Sequence, residues 1–348
     1  MKLLFLGDYC TNKKYKLGNS FLNLLDKMDY SILNLEGPFY SKSENLPNKF
    51  GPRLNSDANI FLKNFCNKKT IIAGANNHIF DYGNKGIVET IKILKKNKFK
   101  YFGFGLDNYE ASKPLKLNDI ILYNFAENEF GVSKKYNPGF SGINYSLIKK
   151  IKTEASQKKI IIYFHGGTEY CSVPNPFVRK LYKTLLNSGV IAIIGSHTHI
   201  PQMYKMLNNQ FFCFSLGNFI LIKNKNIIKN FLRKLFFNEL IINDSYFNYG
   251  IGVELDIQAF SLKYKIHKLK FSKGCLEICN DSTLIELLDR VNSYDEKKID
   301  LKWNKFVKKI LPNYQKYYNY NLKNSKIAKI NFNNTESHRE VLKILFNN

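Results

Sequence analysis

No stretch of this 348-residue chain is long and apolar enough to span a bilayer. The N-terminal apolar run, Leu3-Leu4-Phe5-Leu6, stops at Gly7-Asp8 and is far too short for a signal peptide. The six cysteines contain no CxxC pair and no disulfide-framework spacing; Cys275 and Cys279 are four apart, but no second pair accompanies them. That pattern argues against a disulfide scaffold and predicts reduced thiols in a cytoplasmic protein. Internal repeats and low-complexity linkers are lacking as well. Acidic residues are scarce, 28 against 53 Lys and Arg, for a formal net charge of +25. The surplus invites a nucleic-acid or polyanion reading. However, the basic residues form no dense block and no aromatic-interleaved motif, so no specific nucleic acid is expected. Lys, Asn, Ile, Tyr and Phe are abundant together, as AT-rich coding alone would produce. Even so, the charge favours acidic substrates over basic ones.

What is present is alternation. Short apolar runs at Lys2–Leu6, Tyr30–Leu35, Thr70–Ala73, Tyr101–Phe104, Ile120–Phe125, Lys159–Phe164, Val190–Ile194 and Phe211–Ser215 read as strands. Helical patterns lie between them, notably Gly86–Asn97 and Pro176–Ser188. The fold class is therefore α/β. Tyr249–Leu255 reads as a strand closing the main sheet. Lys223–Asn238 reads as a surface helix packed on the core, with peripheral membrane contact as its alternative. The expected main domain covers 1–270. From about Cys275 the chain is expected to be helical, so that 271–348 form a basic extension packed on that domain, with Trp303, Phe306, Ile310 and Leu311 on one apolar face.

Polar residues collect where these strands end. Asp8 follows the first strand, and Asn34 and Glu36 close the second. Asn77, His78 and Asp81 follow the third, His165 ends the Lys159–Phe164 run, and His197 and His199 follow Val190–Ile194. In open α/β sheets, sites form beyond the carboxyl ends of strands. Only six histidines exist, and four of them sit in these turns; imidazole and carboxylate together suit Zn, Mn or Fe. Gly195-Ser196-His197-Thr198-His199 is the strongest local motif, because an H-x-H pair sends both rings to one side. Its alternative is two strand histidines paired with neighbours. Asp81 has the alternative of a simple helix cap, and His165 that of a satisfied core histidine.

Taken in order, Gly7-Asp8, Asn34-Leu35-Glu36-Gly37-Pro38, Asn76-Asn77-His78 with Asp81 and Gly83, His165-Gly166-Gly167 with Glu169-Tyr170, the His197/His199 motif and Ser215-Leu216-Gly217-Asn218-Phe219 resemble the bacterial capsule-synthesis CapA family. That family of poly-γ-glutamate capsule biosynthesis proteins is a branch of the calcineurin-like metallophosphoesterases, and the match runs over about residues 2–255. The resemblance implies a four-layered α/β/β/α sandwich with one or two divalent metal ions (Mn, Zn or Fe) at one end. It implies Asp8, Glu36, Asn77, His165, His197 and His199 as metal ligands. His78 is similar to the histidine that touches the scissile group, with Asp81 or Glu169 orienting the ligands. Cys10 stands where a typical phosphoesterase has histidine, Glu36 where the superfamily usually has a bridging aspartate, and Gly166 where the family commonly has Trp, a change expected to widen the site. The function so implied is metal-dependent hydrolysis of a phosphoester or of a linkage in an anionic polymer such as poly-γ-glutamate. Its alternative is a non-catalytic accessory protein that holds such a polymer during capsule assembly.

Overall fold

The computed structural model describes residues 1–42, 46, 47, 49, 52–222, 246–309 and 335–346. Strand and helix alternate from the start: β1 (Lys2–Cys10), β2 (Lys16–Leu17), α1 (Asn19–Asp26), β3 (Tyr30–Leu35), α2 (Ala58–Asn64), β4 (Thr70–Ala73) and α3 (Gly83–Lys96). Next come β5 (Lys100–Phe102), β6 (Phe104–Gly105), α4 (Asn108–Ser112), β7 (Leu115–Leu117), β8 (Ile120–Ala126) and β9 (Gly139–Phe140). The second half holds α5 (Tyr145–Ala155), β10 (Lys159–His165), α6 (Pro176–Leu186), β11 (Ala192–Ser196), β12 (Tyr204–Leu207), β13 (Gln210–Cys213) and β14 (Asn218–Leu221). β15 (Tyr249–Ile257), β16 (Leu262–Ser272) and β17 (Cys275–Ile278) precede the helix Ser282–Asn292. Residues 296–309 are helical, as is Glu336–Phe346.

Two sheets face each other. One is nine-stranded, in the order β2-β17-β16-β15-β1-β3-β4-β5, with β14 also paired to β1. The other is six-stranded, β12-β13-β11-β10-β8-β7. Side chains alternate along β1, so Leu3 and Phe5 face the second sheet, where the Phe5 and Tyr163 rings meet edge-on at 5.9 Å. Leu4 and Leu6 face the other way and pack with Phe21 of α1, Phe61 of α2 and Ile87, Ile91 and Leu94 of α3. Leu147 and Ile151 of α5 and Val178, Leu181 and Leu185 of α6 cover the outer face of the second sheet. This is the expected four-layered α/β/β/α sandwich.

Some details differ from the sequence reading. The Tyr101–Phe104 run breaks at Gly103, whose φ of +87° turns the chain from β5 into β6. β15 lies inside its sheet, between β1 and β16, rather than closing it. The expected boundary at 270 falls within β16, and Cys275–Ile278 is a strand because it pairs with both β16 and β2 and buries Leu276. Helices begin only at Ser282. Trp303 is buried and Phe306 packs against the core. Lys223–Asn238, Ile310 and Leu311 lie outside the described residues. Among the described residues, no helix is long and apolar enough to cross a membrane.

Candidate metal centre

β1, β3 and β4 run parallel, and so do β8, β10, β11 and β13. Their carboxyl ends deliver the polar residues to the seam between the sheets. Asp8 reaches it because β1 bulges there, shifting register between Leu6 and Asp8 against β3 and between Asp8 and Tyr9 against β14. The approach of β1 to the next loop is so close that a Cβ on Gly7 would lie 1.9 Å from the Gly217 carbonyl oxygen. Only glycine fits at that place.

The first cluster is Asp8, Glu36 and His199, all buried, whose donor atoms lie within 4.8 Å of one another. His199 Nδ1 is 3.5 Å from Asp8 Oδ2, and its Nε2 is 3.7 Å from Glu36 Oε1. Asn218 Oδ1 sits 2.9 Å from His199 Nδ1 and orients the ring. A second group adjoins it. His165 Nε2 lies 3.1 Å from Asn77 Oδ1 and 3.0 Å from His197 Nδ1, while His165 Nδ1 is 3.8 Å from Asp8 Oδ1. Asn34 joins the groups by donating to Asp8 Oδ1 at 2.8 Å, with His165 Nδ1 at 3.3 Å. His197 and His199 both have positive φ, +98° and +59°. They therefore lie on a turn rather than an extended strand, and non-glycine residues hold such backbone only at some cost.

Asn76 builds the next loop. Its amide donates to Asn34 Oδ1 and the Leu35 carbonyl, and its oxygen accepts from the amides of His78 and Ile79. His78 Nδ1 lies 2.7 Å from Asp81 Oδ2. Lys49 pairs with Asp81 and places its Nζ 3.1 Å from both His78 Nδ1 and the Asn77 carbonyl. Asp81 also accepts from the Leu54 amide at 2.7 Å. The capping alternative for Asp81 is not what the structure shows, since α3 starts after Tyr82 with no side-chain cap. Glu169 is half-buried, and its charge acts on His78, His197 and Glu129.

Electrostatics follow from this burial. It would raise the Asp8 carboxyl, but His199 and His165 outweigh it and hold the group at about 2. Burial and the His197 neighbour push His165 well below the usual imidazole range, and burial takes His197 to about 4. His78 is lowered by burial and then by Lys49, while Asp81 is lowered because Lys49 and His78 outweigh its burial. Neutral imidazoles beside ionised carboxylates are the ligand forms that a divalent cation requires. The donor set of two acids and an imidazole nitrogen in the first cluster fits a divalent metal ion.

Four groups at the site escaped the sequence reading. Lys49 lies in no motif, and Asn218 stood in one without a role. Glu127 and Glu129 follow the end of β8, where the strand-end rule applied to the other strands would have found them. Burial raises Glu127 to about 8 against donors from Ser337, and burial with Glu169 raises half-buried Glu129 to about 7. Gly166 does not widen the site. A Cβ there would meet Glu127 Cγ and Phe164 Cζ, each at 2.7 Å, so the space is already filled.

The chain is similar to known capsule biosynthesis proteins. The capsule biosynthesis protein CapA of Bacillus anthracis is 30% identical over 164 residues, 43% of this chain and 40% of that protein. The PGA biosynthesis protein CapA of Bacillus subtilis (strain 168) is 26% identical over 160 residues, 43% of this chain and 42% of that protein. The chain thus spans about two fifths of the length of the curated relatives it matches. Among solved structures, a Staphylococcus aureus protein described as a candidate 5'-nucleotidase gives a TM-score of 0.45 at 12% identity, covering 87% of this chain and 58% of that one. The model of the family described as bacterial capsule synthesis protein PGA_cap matches residues 11–222, which include Glu36, Asn77, His78, Asp81, His165, His197 and His199. With well over half of its length matched, the chain belongs to the bacterial capsule synthesis protein PGA_cap family.

Proposed function

We propose that the chain is a metal-dependent hydrolase of capsule or anionic-polymer biosynthesis, acting on a phosphoester or on a linkage in a polymer such as poly-γ-glutamate. The observation that carries this reading is the convergence of Asp8, Glu36 and His199 from two different sheets into one buried donor set. Asn77, His165 and His197 adjoin it as further ligands, and the set would hold one or two divalent cations. Such cations, when bound, lower the pKa of water and polarise a substrate oxygen.

The remaining steps belong to the chain's own groups. Asp81 and Lys49 both meet His78 at Nδ1 and hold the ring there, which leaves Nε2 to hold or move a proton at the leaving oxygen. Lys49 keeps Asp81 ionised and therefore keeps the ring in place. Glu169, at the rim, acts electrostatically on His78 and His197. Elemental analysis of protein purified without chelator, joined to turnover of a generic phosphodiester, tests the reading. Stoichiometric divalent metal and turnover abolished by His197→Ala support it. Absence of both metal and turnover sinks it.

The net charge of +25 favours a second reading, an accessory protein that holds an anionic polymer without cleaving it. Polymer binding without turnover would select it.

A further inference from the structure

The turn that carries His165 is held in part by the far end of the chain. Glu127 is buried at the end of β8, and its amide donates to the His165 carbonyl at 3.1 Å. Its side chain lies directly over Gly166, and Oε1 accepts from the Gly167 amide at 2.7 Å. On its other side, Oε2 accepts from the Ser337 amide at 2.8 Å and Oε1 from the Ser337 hydroxyl at 2.5 Å. Ser337 lies in the first turn of the helix Glu336–Phe346, where a backbone amide has no helical partner of its own. Asn175, also fully buried, donates to the Ser337 hydroxyl and to Thr168 Oγ1 at 3.2 Å while capping α6. Thr335 Oγ1 donates to the Asn128 carbonyl, one residue past Glu127. One buried carboxyl thus bonds the residues just after a candidate ligand to the start of the last helix, more than 160 residues along the chain.

We propose that Glu127 is a positioning residue for the His165-Gly166-Gly167 turn and that Ser337 holds Glu127 in place, which makes the beginning of the C-terminal helix a structural part of the site. Its consequence for metal retention rests on the hydrolase reading; the coupling itself does not. A loop of two glycines has little stiffness of its own. With Glu127 anchored on both sides, the turn has one conformation, and His165 Nε2 stays directed at Asn77 and His197. Ser337→Ala removes the hydroxyl donor to Oε1, the oxygen that also accepts from the Gly167 amide, and leaves only the backbone amide on Oε2, so the carboxyl gains freedom to swing.

In the full-length protein, hydrogen–deuterium exchange across residues 160–175 is compared for wild type, Ser337→Ala, Ser337→Thr and Glu127→Ala, with metal retention against a chelator read in parallel. Ser337→Ala is expected to speed exchange at Gly166 and Gly167 while β10 and β11 stay protected, and to weaken metal retention about tenfold. Ser337→Thr keeps the hydroxyl and restores both. Unchanged exchange in the turn for both alanine variants overturns the proposal, as does faster exchange spread over the whole chain, which marks a general loss of stability. Unchanged metal retention in a loosened turn overturns the positioning role. Wild-type protein that retains no divalent cation removes the hydrolase reading, and the exchange comparison alone then decides the coupling.

Discussion

Lys49→Met tests whether the pocket beside His78 is organised by a buried ion pair. The Lys49 side chain is 8% exposed and that of Asp81 is 0%. Breaking a buried pair by removing one partner costs about 3–5 kcal/mol, because the other charge stays buried without compensation. Asp81 keeps the Leu54 amide at 2.7 Å and His78 Nδ1 at 2.7 Å, so the low end, about 3 kcal/mol, is expected. His78 responds in the opposite sense. After burial, Lys49 is the largest influence lowering that ring, so its removal raises the His78 pKa and lets an imidazolium form beside Asp81 as the pH falls. The destabilisation therefore shrinks toward acid. Urea unfolding of wild type, Lys49→Met, Asp81→Asn and the double variant measures the coupling directly, and about 1.5 kcal/mol or more is expected for groups in one network. A coupling below about 0.5 kcal/mol, the range of solvent-exposed pairs, would refute the reasoning.

Gly7→Ala places a methyl carbon 1.9 Å from the Gly217 carbonyl oxygen, and because that neighbour is backbone the strand end must move. A loss of about 3 kcal/mol or more in urea unfolding is expected, and a change within about 0.5 kcal/mol would show that the approach is soft. In chelator-treated protein, His197 is neutral when folded down to about 4, whereas the unfolded ring takes its proton near the usual imidazole value. The unfolded state therefore binds more protons between those two values, and stability falls as pH falls through that window by about 1.4 kcal/mol per unit for this group. His197→Gln should flatten the slope of denaturation free energy against pH, and an unchanged slope contradicts the assigned burial effect. His165→Ala and His199→Ala should lower bound metal in elemental analysis, while His78→Ala spares the metal and reduces turnover. Equal metal content in all three variants would remove the division between ligands and proton-carrying group.

The layered fold was legible because its determinants are local and periodic. Thr70–Ala73 and Tyr30–Leu35 are apolar runs bounded by polar turns, and both appear as strands over those same residues. α3 and α6 follow from one-sided apolar spacing, and α6 is further marked by Asn175 and Pro176 at its start. What stayed hidden depends on contacts between distant residues. Lys49 has no sequence neighbour that marks it, and its role comes from Asp81, 32 residues away. Ser337 owes its place to Glu127, 210 residues away. Gly166 seemed to leave an opening because the sequence does not say which side chain from another strand fills the room; Glu127 does. Cys275–Ile278 was misread as helical because a four-residue strand gives almost no periodic signal.

The division between the two sheets explains why this constellation is more than a set of convenient turns. Asp8 and Glu36 belong to the nine-stranded sheet, whereas His165, His197 and His199 follow strands of the six-stranded one. Below the site the sheets meet through apolar contacts such as Phe5 with Tyr163, and the Tyr163 hydroxyl donates to the Leu6 carbonyl. At the seam itself the contacts are polar, with Asn34 bonded to Asp8 and beside His165, and the His197 amide donating to Asp8 Oδ2. Buried polar groups are costly unless satisfied, so a core built only for stability would fill that seam with aliphatic side chains. Instead it keeps ionised Asp8 against imidazoles driven toward their neutral form. The left-handed backbone at His197 and His199 adds strain at the same place. Polar burial, depressed imidazole pKa values and strained backbone thus coincide where strand ends of both sheets converge, which is the arrangement expected when stability is given up to hold a ligand-binding geometry.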